Sequence, residues 1–104
     1  MTIVRVGRFK AKDGLLNDLR RIYTSEAIPE IRAAKGNIGA FLLCPHQSMN
    51  DCLAITAWES ASDADQYAAS GQARKMVDKV RHCFASAPEL AAYDGYGFDL
   101  SSNG

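Results

Sequence analysis

Residues 53–58, LAITAW, limit the possible folds more than any other stretch of this chain. The β-branched and aromatic content predicts a strand. Its two sets of alternate side chains are both uncharged. Leu53, Ile55 and Ala57 point one way; Cys52, Ala54, Thr56 and Trp58 point the other. Residues 36–44, GNIGAFLLC, behave alike, with Ile38, Ala40, Leu42 and Cys44 opposing Asn37, Gly39, Phe41 and Leu43. Strands that are apolar on both faces belong in the centre of a sheet that is covered on both sides.

The rest of the sequence supplies cover for one side. Residues 2–10 alternate loosely and predict a first strand, after which KDG turns the chain. Leu15, Leu16, Leu19, Ile22 and Tyr23 have helical spacing. Pro29 is expected to disturb that helix near its end, with Ile31 continuing the buried stripe. Residues 45–51 are expected to join the strands of residues 36–44 and 53–58 as a hairpin with a slightly long loop. Ser60 with Asp63, and Ser62 with Asp65, both fit a capping box opening a second helix. Its stripe runs through Ala64, Tyr67, Ala68 and Gly71, then Met76, Val77, Val80, Cys83 and Phe84, with a kink or restart at Ser70-Gly71. Pro88 closes the region, and residues 91–100 form a last strand weakened by Gly95 and Gly97.

The order β-α-β-β-α-β predicts an α+β, ferredoxin-like fold: a four-stranded antiparallel sheet with two helices on one face. All 104 residues make one domain, with 101–104 (SSNG) a frayed tail. Two helices shelter one face only, so a homodimer paired through the second sheet face is expected. The competing arrangement wraps the second helix and the tail over that face.

Formal net charge is zero, from 12 basic and 12 acidic residues without a basic stripe, which argues against a nucleic-acid partner. No apolar run reaches the ~20 residues of a membrane helix, and MTIVRVGRFK lacks the pattern of a signal peptide. The expected location is cytoplasmic. Cys44, Cys52 and Cys83 are odd in number and contain no CxxC, so a disulfide framework is not expected. Cys44 and Cys52 flank the loop PHQSMND, a placement compatible with their facing each other across a hairpin. A metal site of Cys44, His46 and Cys52 lacks a fourth ligand at the usual spacing, and three reduced thiols are the favoured reading.

The blocks RFKAKDG, GNIGAFLLCP and LAITAWESASDADQYAASG resemble, in order and spacing, the antibiotic biosynthesis monooxygenase domain. The central signature is a strand ending in Trp58, Glu59 and Ser60, a helix beginning at once, and a ring at Tyr67. The resemblance implies a dimeric α+β barrel with a pocket between helices and sheet. Some members oxygenate polycyclic phenols with dioxygen and neither metal nor flavin. Others degrade haem, or act on small quinols or signalling molecules. The family often has histidine where Tyr67 stands. Its haem degraders combine a first-strand asparagine, a tryptophan and a helix histidine, of which Trp58 alone has a counterpart here.

The resemblance points to a small dimeric, cofactor-independent monooxygenase acting on an aromatic or quinol-type compound. The alternatives are a non-enzymatic module binding a small ligand or haem, and an isomerase or cyclase on the same scaffold. Trp58 would stack on an aromatic substrate and donate from its indole, or else fill the core. Tyr67 would orient a substrate oxygen, or fill the same junction. His82 has the ordinary pKa of a proton acceptor but sits beside Arg81 and also suits a solvated helix face. Arg5 or Arg8 would hold an anionic substrate, or form an ion pair at the dimer rim. Phe41 completes the candidate substrate-binding set.

Overall fold

The structure is a computed structural model and describes residues 2–46 and 50–97. Strand β1 (Thr2–Lys10) leads to helix α1 (Leu16–Ile22), a π-helical segment (Tyr23–Ala27) and helix α2 (Ile28–Arg32). Strands β2 (Asn37–Leu43) and β3 (Asp51–Trp58) follow, then helices α3 (Ala61–Ala69) and α4 (Gln72–Val80), a 3-10 turn (Arg81–Cys83) and strand β4 (Glu89–Gly95). All pairings are antiparallel, in the order β2-β3-β1-β4, so β3 is central as its two apolar faces predict, whereas β2 lies at an edge. This is the ferredoxin-like α+β fold that the element order predicts.

Pro29 disturbs the helical run as expected, but without ending it. It lies in the first turn of α2, and the helical path continues through it to Arg32. The adjustment falls upstream, where the Ile28 N–H bonds the Tyr23 carbonyl in the wider π pattern. Pro29 has no N–H, and its ring would crowd the carbonyl one turn earlier; the widened turn relieves that conflict. Thr24 and Ser25 assist by donating their hydroxyls to the carbonyls of Arg20 and Arg21, at 2.8 and 2.7 Å. The buried stripe does continue past the proline, with Ile31 in the core.

Of the two capping candidates, Ser60 is the one used. Its hydroxyl oxygen accepts the Asp63 N–H at 3.1 Å and donates to the Asp63 carboxylate at 3.0 Å, starting α3 immediately after Trp58. Asp63 also packs against Gly36, which has a φ of 81°. The second helix breaks in two at Gly71, whose φ of 86° breaks the path and re-aims the chain into α4. The last strand is earlier than expected, at Glu89–Gly95 rather than 91–100, and 98–100 fall outside the described residues.

Pairing of β1 with β3 fixes which side chains face the helices. Ile3, Arg5, Gly7 and Phe9 lie opposite Trp58, Thr56, Ala54 and Cys52. Two apolar clusters fill the space beneath the helices: one holds Ala27, Ile31, Ala40, Trp58, Ala64 and Met76, the other Phe9, Leu19, Cys52, Val80 and Cys83. The opposite face carries Val4, Val6 and Arg8 beside Ala57, Ile55 and Leu53. Phe41, Leu43 and Tyr93 on that face are 41%, 48% and 57% exposed. Among the described residues no element covers it, and none forms a helix long and apolar enough to cross a membrane.

Candidate functional site

A cavity of about 560 Å³ lies between the helix-facing side of the sheet and helices α3 and α4. Its floor is the β1 and β3 row, including Arg5, Gly7, Phe9, Ala54, Thr56 and Trp58. Met76, Val77 and Val80 of α4, with Tyr23 and Ile31 of the first helical run, supply most of its roof. Toward the sheet edge the helices stop short of β4. Leu90 therefore stays 84% exposed while lining the cavity, and this side is the mouth.

Trp58 is fully buried, with its indole N–H donated to Thr56 Oγ1 at 2.9 Å. That bond stays on one strand, because residues two apart share a face. Tyr67, one turn and a half into α3, lays its ring against the indole with centroids 5.2 Å apart and planes tilted by 33°. The Tyr67 hydroxyl is buried and has no hydrogen-bond partner among the described residues. Burial, and then the charge of Glu30, raise its pKa. Tyr23 lines the same cavity, and its phenol is pushed up to about 12 by burial first and by Tyr67 second. Both phenols are therefore neutral hydrogen-bond donors at physiological pH.

Arg5 provides the one positive charge among the described lining residues. Its Nη1 donates to the Ala64 carbonyl at 3.0 Å, and Nη2 lies 3.9 Å from the Asp65 carboxylate. The guanidinium thus ties β1 to the first turn of α3 and leaves donors unused. Among the described lining residues there is no carboxylate and no imidazole. A smaller cleft of about 300 Å³ between the end of α2 and helix α3 contains Glu30, Lys35 and Asp63, and Tyr67 belongs to both hollows.

The structure brings Trp58, Tyr67 and Arg5 into one cavity wall. It does not bring in the other three candidates. Arg8 is exposed on the opposite sheet face, paired with Leu53 and Glu89, since strand parity allows Arg5 and Arg8 only opposite sides. Phe41 lies on that outer face too, opposite Ile55. His82 is exposed on the 3-10 turn, its Nε2 3.4 Å from Cys83 Sγ. Tyr23 and Thr56 are wall residues that pattern reading missed. Tyr23 counted only as part of an apolar stripe; the signal was a phenol in an otherwise aliphatic row. Haem finds no imidazole here, and the first strand offers no asparagine, so the wall does not fit that group.

The sequence matches the model of the family described as "Antibiotic biosynthesis monooxygenase" over residues 2–79. A search of curated proteins returns no match. Among solved structures, SnoaB of Streptomyces nogalater, described as a cofactor-independent oxygenase, superposes with a TM-score of 0.78 at 15% identity, covering 93% of this chain and 95% of that one. A Bordetella bronchiseptica protein assigned to the same monooxygenases gives 0.79 at 18% identity, over 91% and 97% of the two chains. Rv0793 of Mycobacterium tuberculosis gives 0.77 at 13% identity, over 94% and 98%. At these identities the superpositions establish the fold.

Proposed function

The chain belongs to the antibiotic biosynthesis monooxygenase family, and from that premise we propose that it is a cofactor-independent monooxygenase acting on an aromatic, quinol-type small molecule, working as a homodimer. The observation that carries this reading is an apolar cavity whose polar groups are nearly all donors: the Tyr23 and Tyr67 hydroxyls and the Arg5 guanidinium. A wall of this kind suits a flat apolar ring system bearing an oxyanion.

Oxygenation without a cofactor requires the substrate to supply the electrons. Loss of a proton makes a phenol or enol into an electron-rich anion that passes an electron to dioxygen. The ring is held against Trp58 by stacking. The neutral phenols and Arg5 stabilise the negative oxygen, lowering the pKa of the bound substrate. Since no carboxylate or imidazole lines the cavity among the described residues, the substrate has to be acidic enough to ionise toward solvent at the β4 mouth. That favours hydroquinones and anthrones over plain hydrocarbons, and makes an isomerase, which needs a resident proton shuttle, a weaker fit. For an anthrone the balance is simple. A ring CH₂ and O₂ give a C=O and water, so one oxygen atom enters the product and the other leaves as water.

The open sheet face supports the dimeric part of the reading. Apolar side chains on a patch of this kind favour a self-complementary partner, each Å² removed from water contributing ~25 cal/mol. A lone 11.3 kDa species in analytical ultracentrifugation at micromolar concentration would sink it.

The experiment for the reaction is oxygen uptake with a panel of anthrones and dihydroxynaphthalenes, using ¹⁸O₂. Uptake with one labelled atom in the product is expected. Tight binding of the same compounds without uptake would instead make the protein a small-ligand binding module. A Soret shift with haemin would revive the haem alternative.

A further inference from the structure

We propose that Cys44 and Cys52 form a reversible oxidation site, in which hydrogen peroxide joins the two thiols as a disulfide across the end of the β2–β3 hairpin. Leu43 pairs with Leu53, so the next step of the register sets Cys44 opposite Cys52. Their sulfurs lie 3.9 Å apart, with the Cys52 thiol directed at the Cys44 sulfur. Directly opposed residues of an antiparallel pair are about 4.5–5.5 Å apart at Cα, within the span a disulfide tolerates.

The two thiols are not equivalent, and their difference gives the order of events. Cys44 is half-buried, and Cys52 is fully buried. Peroxide reaches Cys44 first. Its thiolate attacks one peroxide oxygen; an S–O bond forms, the O–O bond breaks and hydroxide leaves. The sulfur loses two electrons and the peroxide gains them, giving a sulfenic acid. Burial, followed by the nearby Cys44, holds the Cys52 thiol up to about 12, so it remains protonated until that point. Its sulfur then attacks the sulfenic sulfur. The S–S bond forms, the S–O bond breaks, and the departing hydroxide takes the Cys52 proton as water. In sum, two thiols and one peroxide give one disulfide and two waters.

The third cysteine shares the buried cluster of Cys52. Cys83 is fully buried and its sulfur lies 3.4 Å from His82 Nε2. The bond would also be felt in the interior. Cys52 packs in one cluster with Phe9, Leu19 and Val80, and those three residues line the cavity. The chemistry itself is independent of any reaction in that cavity.

The test treats the reduced full-length protein with hydrogen peroxide and maps its peptides without reduction. The expected result is a mass loss of two hydrogen atoms, disappearance of two of the three thiols, and a cross-link joining the peptides of Cys44 and Cys52, all reversed by dithiothreitol. Cys83→Ser should oxidise at the wild-type rate, and Cys44→Ser should leave Cys52 as a free thiol. A link through Cys83, a link between chains, over-oxidation of Cys44 with Cys52 untouched, or survival of all the thiols would each overturn the proposal. The wild-type peptide map decides the matter even if a variant fails to fold.

Discussion

The rings of Trp58 and Tyr67 rest 5.2 Å apart and tilted by 33°, joining the exit of β3 to the first turns of α3. The Ser60 cap makes this contact possible. It starts α3 three residues after the indole, which turns Tyr67 back over the strand end. The pair is both core and cavity wall, so the packing role and the site role proposed for these residues are compatible.

The two aromatic residues should respond oppositely to trimming. Trp58→Phe removes buried area and the bond to Thr56, and is expected to cost about 2 kcal/mol by urea unfolding; Trp58→Ala should cost ~3–5 kcal/mol. Tyr67→Phe removes a buried hydroxyl without a partner, so stability should be unchanged or slightly higher. Turnover of an anthrone should nonetheless fall about a hundredfold, the effect of one lost donor to an oxyanion at the modest end. Unimpaired turnover in both phenylalanine variants would show that the chemistry lies elsewhere.

Stability should fall at high pH through Tyr23. Its pKa is about 12 in the folded chain against the ordinary 10.0 of a free phenol side chain. The folded state therefore favours the neutral phenol. That contribution is whole below pH 10 and is lost as pH rises through 12, about 2–3 kcal/mol in all. Denaturation followed between pH 9 and 12 (roughly the window set by these values) should show a steeper loss in wild type than in Tyr23→Phe. Parallel curves would mean that Tyr23 is not held neutral by its surroundings.

Helix α3 depends on its first turn. Ser60→Ala should cost about 1 kcal/mol in thermal or chemical unfolding, from loss of the cap to the Asp63 N–H. Gly36→Ala should cost more. The new methyl group meets Asp63 directly, and the positive φ at Gly36 penalises any side chain. Equal stability of the two variants would mean that Asp63 moves aside freely.

Self-association should be sensitive to charge on the open face. Phe41 is 41% exposed there, so Phe41→Lys should leave the protomer's unfolding free energy within about 0.5 kcal/mol. Sedimentation should show a dimer weakened at least about tenfold, because each copy would bury a new unpaired charge. An unchanged sedimentation profile would move the interface to another surface.

The sequence by itself determined which segments become strands and helices, and that the sheet has two apolar faces. Local rules suffice for that. Side-chain alternation in residues 53–58, helical spacing from Leu15 and the serine before Asp63 each act over a few neighbours. They also marked Trp58 and Tyr67 as a pair worth attention. Tertiary structure alone decided that Arg5 and not Arg8 meets the cavity, because the strand's inward parity follows from its pairing with β3, forty-odd positions away in sequence. It alone placed Tyr23 beside Tyr67, and let the first helix pass Pro29 by widening upstream into a π turn. It also left His82 on an outer turn, since the 3-10 segment ends the helix before that side chain could turn inward. Contacts between segments distant in sequence depend on register and on where a helix ends, and neither is fixed by the local pattern that makes the segment.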